Sequence, residues 1–250
     1  SKSRIQKILY RQQSRAFRRY EKNTCQKFNT VACVSEIDAN ILSKICPQAN
    51  IALIPNGVDI ELYRPRYEQE KENALVFTGS MDWLTNEDAA LYFSQNVFPL
   101  IKQNVKDAKF YIVGSNPTQN VLTLDKQQNI IVTGEVEDIK PYIAQATVYV
   151  VPLRIGGGTR LKILEALAMG KAVVSTAVGA EGLNLSDGKN IFIVDEPGNF
   201  AEITAMLMKD PNLRRQVGMS GSKLVEEEYS WSKIGRKLKA IYKQTVKSKV

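Results

Sequence analysis

The residues best suited to chemistry lie in one short run past the middle of the chain. Three glycines at residues 156–158 are followed by Thr159, Arg160, Lys162 and Glu165. Glycines without a Cβ let a ligand approach the backbone, and a helix starting here would present free N–H groups and the positive end of its dipole. Because Arg160 and Lys162 add cationic donors at the same place, the run predicts a diphosphate site.

The helix predicted after these glycines covers residues 160–169, with Thr159 as its N-cap and Gly170 as the residue that follows its end. Glu165 falls at the edge of the buried arc of this helix, one turn from its start. A carboxylate placed there can accept hydrogen bonds from a pair of ribose hydroxyls. The alternative is a surface glutamate favoured by the helix dipole.

Other glycines follow predicted strands at Gly79 (with Ser80), Gly114 and Gly134. In a parallel sheet, the carboxyl ends of the strands share one edge, where ligands bind. Each glycine alone fits an ordinary turn. Four such turns on one edge, the fourth containing Gly157 and Gly158, favour a ligand site.

Regular alternation of strands and helices supports this arrangement. Apolar strands are predicted at residues 74–78, 110–113, 130–132, 148–151, 172–175 and 191–194. Helices are predicted at residues 86–103, 136–145, 160–169, 199–208, 211–228 and 231–247. Strands that are apolar on both faces suit a parallel sheet covered by helices on each side, so the pattern predicts a doubly wound, Rossmann-like α/β fold.

The residues before this pattern predict a second, smaller region. A helix is expected at residues 1–29, strands at 31–34 and 51–54, and a helix at 36–46 capped by Ser35. Polar residues 57–73 are predicted to be a linker. The predicted domains are therefore residues 1–56, the linker, a ligand-binding domain at 74–229 and a terminal helical segment at 230–250.

Composition excludes several classes of protein. The chain of 250 residues has no His, and its three Cys have no CxxC spacing, so we expect no metal site and no Ser-His-Asp catalysis. Neither GxGxxG after the first strand nor a P-loop occurs. No apolar run approaches the ~18 residues of a membrane span. We expect a cytoplasmic protein with reduced thiols.

The net charge of +8 comes from the two ends of the chain. The first 29 residues carry nine Lys or Arg against one acid, and the last 21 carry seven against none, which leaves −7 for the middle. This distribution argues against a nucleic-acid partner. The basic helices fit peripheral contact with anionic lipid headgroups on the inner face of the membrane, and a solvated helix face is the alternative.

Residues 151–153 and 156–174 read VPL and GGGTRLKILEALAMGKAVV, and this run resembles the donor-site signature of glycosyltransferase family 4 (group 1). Segments at residues 35–36, 54–59, 77–80 and 113–114 resemble the same family in the same order. Two departures stand out. Gly157 replaces the first Glu of the family's E-x7-E motif, and Met81, Asp82 and Trp83 replace its usual Arg and Lys.

The resemblance implies a GT-B enzyme that transfers a hexosyl-type sugar from a nucleotide-diphospho-sugar to a glycan, lipid or other acceptor, with retention and without metal or cofactor. It implies a role in cell-envelope polysaccharide biosynthesis. Glu165 matches the ribose-binding Glu of that motif, and Arg160 and Lys162 take over the diphosphate. The implied donor-binding set is Gly79, Ser80, Gly114, Gly134, Gly157, Gly158, Thr159, Arg160, Lys162 and Glu165.

The family's acceptor domain normally precedes this region, so residues 1–56 are expected to be its end and the chain alone is expected to transfer no sugar. Catalytic residues of the acceptor domain are not assigned. Two other functions stay open: a nucleotide-sugar epimerase with the same architecture and a non-catalytic nucleotide-binding module, for which Gly157 is the best support.

Overall fold

The computed structural model describes residues 4–247. The chain divides into two compact units. The first contains the residues up to Asn56 together with the chain from Ile234 onward, and the second is Gly57–Lys233. The first three residues of the predicted N-terminal helix and the last three of the chain lie outside the described part. Within that part, no helix combines the length and apolar character needed to cross a membrane.

The first unit contains a small parallel sheet and exposed helices. Its elements are α1 (Arg4–Cys25), β1 (Val31–Cys33), α2 (Glu36–Ile45), β2 (Ile51–Leu53) and the greater part of α11 (Trp231–Lys247). Strand β1 pairs with β2 in parallel. Ser35 caps α2 as predicted, and its Oγ accepts from the Asp38 N–H at 3.1 Å. Apolar side chains on α1, including Phe17 and Tyr20, are exposed.

The second unit is built on a six-stranded sheet. Its strands are β3 (Ala74–Thr78), β4 (Lys109–Val113), β5 (Ile130–Gly134), β6 (Val148–Val151), β7 (Val173–Ser175) and β8 (Phe192–Ile193). All pairings are parallel, in the order β5-β4-β3-β6-β7-β8. All residues of β3, β6 and β7 are buried, so the doubly wound α/β fold predicted from the sequence is confirmed.

Helices connect these strands and close the unit. They are α3 (Leu84–Tyr92), α4 (Phe98–Asn104), α5 (Gln119–Leu124), α6 (Lys140–Gln145), α7 (Leu161–Ala168), α8 (Ala177–Ala180), α9 (Pro197–Lys209) and α10 (Pro211–Leu224). Buried aromatic rings pack together between helix and sheet: Phe93 lies 4.6 Å from Phe110 and 5.8 Å from Phe200, measured between ring centroids.

Several helix predictions were wrong in their bounds. The helix predicted over residues 86–103 is two α-helices joined by a π-helical turn, Phe93–Val97. Pro99 lies in the first turn of α4, where its missing N–H costs no helical hydrogen bond. The helix predicted at 136–145 begins only at Lys140. The Lys140 N–H donates to Asp138 Oδ1 at 2.9 Å.

Two short helices were missed by the sequence analysis. Helix α5 begins after Thr118, whose Oγ1 accepts from the Val121 N–H, and α8 begins after Thr176, whose Oγ1 accepts from the Gly179 N–H. Both are shorter than two full turns of helix, so they lack the repeated apolar spacing by which the longer helices were found.

An ion cluster built around the buried Lys171 lies at the amino edge of the sheet. Lys171, which precedes β7, is 1% exposed; its Nζ donates to the Ala146 carbonyl at 3.0 Å and lies 3.5 Å from Glu70 Oε2. Arg214 donates to the other oxygen of Glu70 through Nη2 at 2.6 Å and Nε at 3.1 Å. Glu70 therefore joins the segment before β3 to the segment before β7 and to α10.

Candidate functional site

The carboxyl edge of the sheet brings the predicted glycine turns together. Gly79 N–H donates to the Val113 carbonyl at 3.0 Å, and Gly114 N–H donates to the Gly134 carbonyl at 3.2 Å. Gly114 has a φ of +144°, and a Cβ added there would collide with the Gly79 carbonyl oxygen. Only glycine fits this position, because the turns after β3 and β4 are in direct backbone contact.

A cavity of about 340 Å³ opens at this edge. Its lining consists of Thr78, Gly79, Ser80, Gly114, Ser115, Glu135, Val136, Ile139, Lys162 and Glu165. Five residues of the predicted donor-binding set, Gly79, Ser80, Gly114, Lys162 and Glu165, thus line one cavity. Their binding of a donor remains a prediction.

The other five predicted residues are not part of this lining. Gly134 ends β5 next to the lining residue Glu135, and Gly157 and Gly158 are exposed in the loop before α7. Thr159 is not the N-cap of α7: the cap position is Arg160, without a side-chain cap bond, because the helix begins one residue later than predicted. The prediction that Gly170 follows the helix is confirmed by its φ of +69° after the C-cap.

Lys162 is the cation of the cavity. Its Nζ donates to the Thr78 carbonyl at 2.5 Å and to Asn86 Oδ1 at 2.9 Å, and lies 4.3 Å from the centroid of the Phe77 ring. These partners carry no negative charge. Burial, reinforced by the nearby charge of Arg160 and opposed by Glu165, lowers the pKa of Lys162 to about 7.

Arg160 lies beneath the glycine loop. Its Nη1 donates to the Gly157 carbonyl at 2.7 Å, and a Cβ on Gly156 would come within 2.7 Å of its Nη2. Nε and Nη2 are buried, yet neither has a hydrogen-bond partner within residues 4–247. A buried donor without a partner costs free energy, which an anionic ligand would recover by accepting from it.

Glu165 is the carboxylate of the cavity and lies three residues after Lys162 on α7, on the same side of the helix. Burial raises its pKa, while the nearby Tyr63 hydroxyl and the charges of Lys162 and Lys140 act in the opposite direction. The cavity thus contains a cation and a carboxylate one helical turn apart, and their binding of a phosphate and a ribose remains a prediction.

Four residues of the site were missed by the sequence analysis: Tyr63, Asn86, Val136 and Ile139. Val136 and Ile139 closely follow the Gly134 turn, and extending each turn by several residues would have included them. Asn86 was placed on a helix without a role. Tyr63 lies in the segment predicted to be a linker, and no local pattern indicates its proximity to Glu165, 102 positions away.

Comparison with known families gives a match over most of the second unit. Residues 72–210, more than half of the chain, match the family described as "Glycosyl transferases group 1". The match begins just before β3 and ends at the start of α10. It therefore covers the whole six-stranded sheet and every residue that lines the cavity.

Individual relatives are longer than this chain. A GDP-mannose-dependent monoacylated alpha-(1-6)-phosphatidylinositol monomannoside mannosyltransferase of Corynebacterium glutamicum is 24% identical over 209 residues, covering 74% of this chain and 54% of the relative. The capsular polysaccharide biosynthesis glycosyltransferase CapM of Staphylococcus aureus is 29% identical over 159 residues, covering 60% of this chain and 41% of CapM. The chain spans about half the length of the curated relatives it matches.

Solved structures show the same fold. Anabaena HepE in complex with UDP superposes with a TM-score of 0.77 at 15% sequence identity, covering 91% of this chain and 67% of HepE. At that identity the likeness extends to the fold alone.

Proposed function

The chain belongs to the glycosyl transferases group 1 family, and on that basis we propose that it forms the part of a glycosyltransferase that binds the nucleotide-diphospho-sugar. The observation that carries the proposal is the shared cavity of Lys162 and Glu165 at the carboxyl edge of the sheet. The family membership favours a transferase over the epimerase that the sequence left open.

Each charged residue has a chemical part in this proposal. Lys162 and Arg160 bind the diphosphate, whose negative charge grows as the bond between the anomeric carbon and the phosphate oxygen breaks. Positive charge already in place stabilises that leaving group. Glu165 accepts hydrogen bonds from the ribose hydroxyls and fixes the nucleoside end of the donor. Gly79 and Gly114 have no side chains, so they leave space in the cavity for the donor.

The finer features of the reaction belong to the proposal as well. We infer a hexosyl donor, retention at the anomeric carbon and an acceptor in the cell envelope from the resemblance of the residue 156–174 run, and CapM and the mannosyltransferase are relatives whose names fit this setting. We also infer that the transfer needs no metal. The support for this inference is that the chain itself offers two cations, Lys162 and Arg160, for the proposed diphosphate.

Calorimetric titration of the chain with UDP, GDP, uridine and guanosine tests the proposal. We expect a diphosphate to bind more tightly than its nucleoside, and Glu165→Ala to weaken diphosphate binding by roughly 1–3 kcal/mol. Arg160→Ala should weaken the diphosphate far more than the nucleoside, because a charge-assisted contact to phosphate is lost. A chelator should change none of these values.

Glu181 supplies a matched control, because it lies near Gly157 and outside the cavity lining. Glu181→Ala should leave UDP and GDP affinity within twofold of the wild type. Equal affinity of wild type and Glu165→Ala for the preferred diphosphate would refute the ribose role. Equal weakening of nucleoside and diphosphate by Arg160→Ala would make Arg160 structural, and loss of binding on chelation would refute the metal-free reaction.

A further inference from the structure

The Asn86 side chain joins the turn after β3 to the lysine of the cavity. Its Nδ2 donates to the Ser80 carbonyl at 2.8 Å, and its Oδ1 accepts from Lys162 Nζ at 2.9 Å. A Cβ added to Gly79 would lie 2.7 Å from Asn86 Nδ2 and 2.9 Å from Lys162 Nζ, so both groups lie against the backbone of that turn. Asn86 therefore holds the turn and the lysine together, although it does not line the cavity itself.

The chemistry of its two partners fixes the orientation of this amide. An ammonium group can only donate hydrogen bonds, and a backbone carbonyl can only accept them. The amide oxygen must therefore face Lys162 and the amide nitrogen must face Ser80. An aspartate of the same length could accept from Lys162 but could not donate to the Ser80 carbonyl, so only asparagine serves both partners at this distance.

The position of Asn86 in its helix would otherwise favour an acid. Asn86 is the third residue of α3, and its backbone N–H donates to the Trp83 carbonyl at 2.8 Å. Negatively charged side chains stabilise the first turn of a helix, because they interact with the positive end of its dipole. An aspartate at this position would gain that interaction and an ion pair with Lys162. The neutral amide is therefore better explained by its effect on Lys162 than by the stability of the helix.

The positive charge of Lys162 is not neutralised by direct contact with an acid. No carboxylate within residues 4–247 lies at salt-bridge distance from its Nζ, and the nearby charge of Glu165 only partly offsets the burial and the charge of Arg160 that lower its pKa to about 7. The surrounding groups are the Phe77 ring and the Thr78 carbonyl from β3, Asn86 from α3, Arg160 and Glu165 from the start of α7, and the lining residue Glu135 after β5.

We propose that Asn86 is a positioning residue that holds Lys162 in the cavity without neutralising it, so that the diphosphate of the donor supplies the counter-charge. The inference rests on the proposed function, since it assigns a partner to a residue proposed to bind the diphosphate. Asn86 acts through Lys162 and has no contact with the ligand in this proposal. A carboxylate in its place would hold the lysine equally well but would compete with the phosphate for its charge.

The test is Asn86→Asp, which replaces the amide by a carboxylate of the same size. UDP, GDP, uridine and guanosine are titrated into wild type and variant by calorimetry at pH 6, where Lys162 is mostly charged in both. For whichever diphosphate the wild type binds, we expect the affinity to fall about tenfold or more, because a fixed carboxylate pairs with Lys162 and repels the phosphate. The affinity for the nucleoside should stay within twofold of the wild type.

A count of protons at pH 8 adds a readout that a loss of packing would not change. In wild type, free Lys162 is mostly neutral at this pH, so binding of the diphosphate should take up close to one proton. In Asn86→Asp the new carboxylate raises the pKa of Lys162, which is then charged before the ligand arrives, and the uptake should fall toward zero. Calorimetry in buffers of different ionisation enthalpy measures both values.

Asn86→Ala separates the hydrogen bonds from the charge. It removes both hydrogen bonds of the amide and adds no carboxylate, so diphosphate affinity should fall roughly 3- to 10-fold while proton uptake at pH 8 persists. Asn96→Asp is the matched control: Asn96 is exposed on the π-helical turn and lies outside the cavity lining, so the same change of charge should alter neither affinity nor proton count. Urea denaturation verifies that each variant is folded at the temperature of the titrations.

Outcomes separate this inference from the proposed function. If Asn86→Asp binds the diphosphate as tightly as wild type at pH 6, or takes up the same proton at pH 8, the inference is wrong. Asn86→Ala tests it even if Asn86→Asp does not fold, because equal weakening of nucleoside and diphosphate, or no weakening, would overturn it. If Lys162→Met weakens diphosphate binding and the Asn86 variants do not, the proposed function stands alone. If Lys162→Met has no effect, or wild type binds neither UDP nor GDP, both fail.

Discussion

Two lysines at opposite edges of the same sheet, Lys171 buried and Lys162 partly buried, differ in their partners. At the amino edge, Lys171 lies against the Glu70 carboxylate, which Arg214 also binds. At the carboxyl edge, the acceptors that Lys162 has within residues 4–247 are neutral: the Thr78 carbonyl and the Asn86 amide oxygen. The first cation completes a network within the chain. Within the described residues the second has no carboxylate at salt-bridge distance, and its pKa is lowered to about 7 by burial, reinforced by Arg160 and opposed by the nearby charge of Glu165.

The difference suggests an interpretation: at the amino edge the chain itself supplies the negative charge, and at the carboxyl edge a ligand would supply it. Removal of one member of a buried ion pair is strongly destabilising, so a closed network such as that of Glu70 is typical of structure. A cation that lacks an anion weakens the folded state until a ligand brings one. We therefore expect changes at the amino edge to alter stability and changes at the carboxyl edge to alter binding.

The largest effect is expected from Glu70→Ala. This substitution leaves Lys171 and Arg214 without their shared carboxylate, and should lower the free energy of unfolding by about 3 kcal/mol or more. Urea denaturation measures the loss, and the affinity for UDP or GDP should be unchanged at a temperature where the variant is folded. If the free energy of unfolding falls by less than about 1 kcal/mol, the amino edge is not the more important edge for stability.

A control for this variant lies on the surface. Lys223 and Glu227 form an i,i+4 pair at 4.0 Å with side chains 75% and 59% exposed. Glu227→Ala should change the free energy of unfolding by less than about 0.5 kcal/mol, since exposed pairs contribute little.

An intermediate effect on stability and a large one on binding are expected from Lys162→Met. The substitution keeps much of the side-chain volume and removes the charge, so diphosphate affinity should fall about tenfold or more. The free energy of unfolding should fall by less than in Glu70→Ala, because a costly buried cation is removed along with its two hydrogen bonds. Calorimetry measures the affinity and urea denaturation measures the stability of the same preparation. A larger loss of stability than in Glu70→Ala would show that Lys162 is the more important of the two residues for the fold.

Stability should also depend on pH through Lys162. The pKa of Lys162 is about 7 in the folded chain and near 10.5 when unfolded, so the unfolded state holds more protons between these values. The free energy of unfolding of wild type, relative to Lys162→Met, should therefore rise as pH increases from 7 toward 10.5, by at most about 1.4 kcal/mol per pH unit, and level off below 7. Denaturation between pH 6 and 9.5 tests the sign.

The same shifted pKa of Lys162 should also make diphosphate binding depend on pH. An anion beside Lys162 stabilises its charged form, so diphosphate binding at pH 8 should take up a proton and weaken as pH rises. Calorimetry in buffers of different ionisation enthalpy counts that proton. Release of a proton at pH 8 would contradict an anion at Lys162.

Much of this arrangement was predictable from the sequence because it depends on local pattern. Strands such as Ala74–Thr78 and Val148–Val151 are buried on both faces and are apolar throughout, so their bounds were predicted correctly. The glycine turns after them were placed at the correct edge of the sheet. Lys162 and Glu165 were predicted at this edge because both follow a glycine loop at the start of a helix, and both line the cavity there.

The remaining features depend on contacts between distant residues. The π-turn at Phe93–Val97 and the late start of α7 after Arg160 depend on neighbouring packing that no window of sequence contains. The packing of Tyr63 against the core joins a segment predicted to be a linker to the second unit. Long-range pairs of this kind have no periodicity, and the side chains alone do not reveal them.

The strand order also has a consequence for the kinetics of folding. Strand β3 pairs with β4 at a separation of 35 positions, Ala74 with Lys109, but beside β6 the Ala74 N–H donates to Thr147 Oγ1 across 73 positions. Doubling a loop adds about 0.6 kcal/mol of closure entropy, and non-local pairing slows folding. Gly79 and Ser80 follow β3, whereas Lys162 and Glu165 follow β6, so the cavity exists only after this more distant pairing has formed. We therefore expect that recovery of the proposed nucleotide binding during refolding would report when β3 pairs with β6.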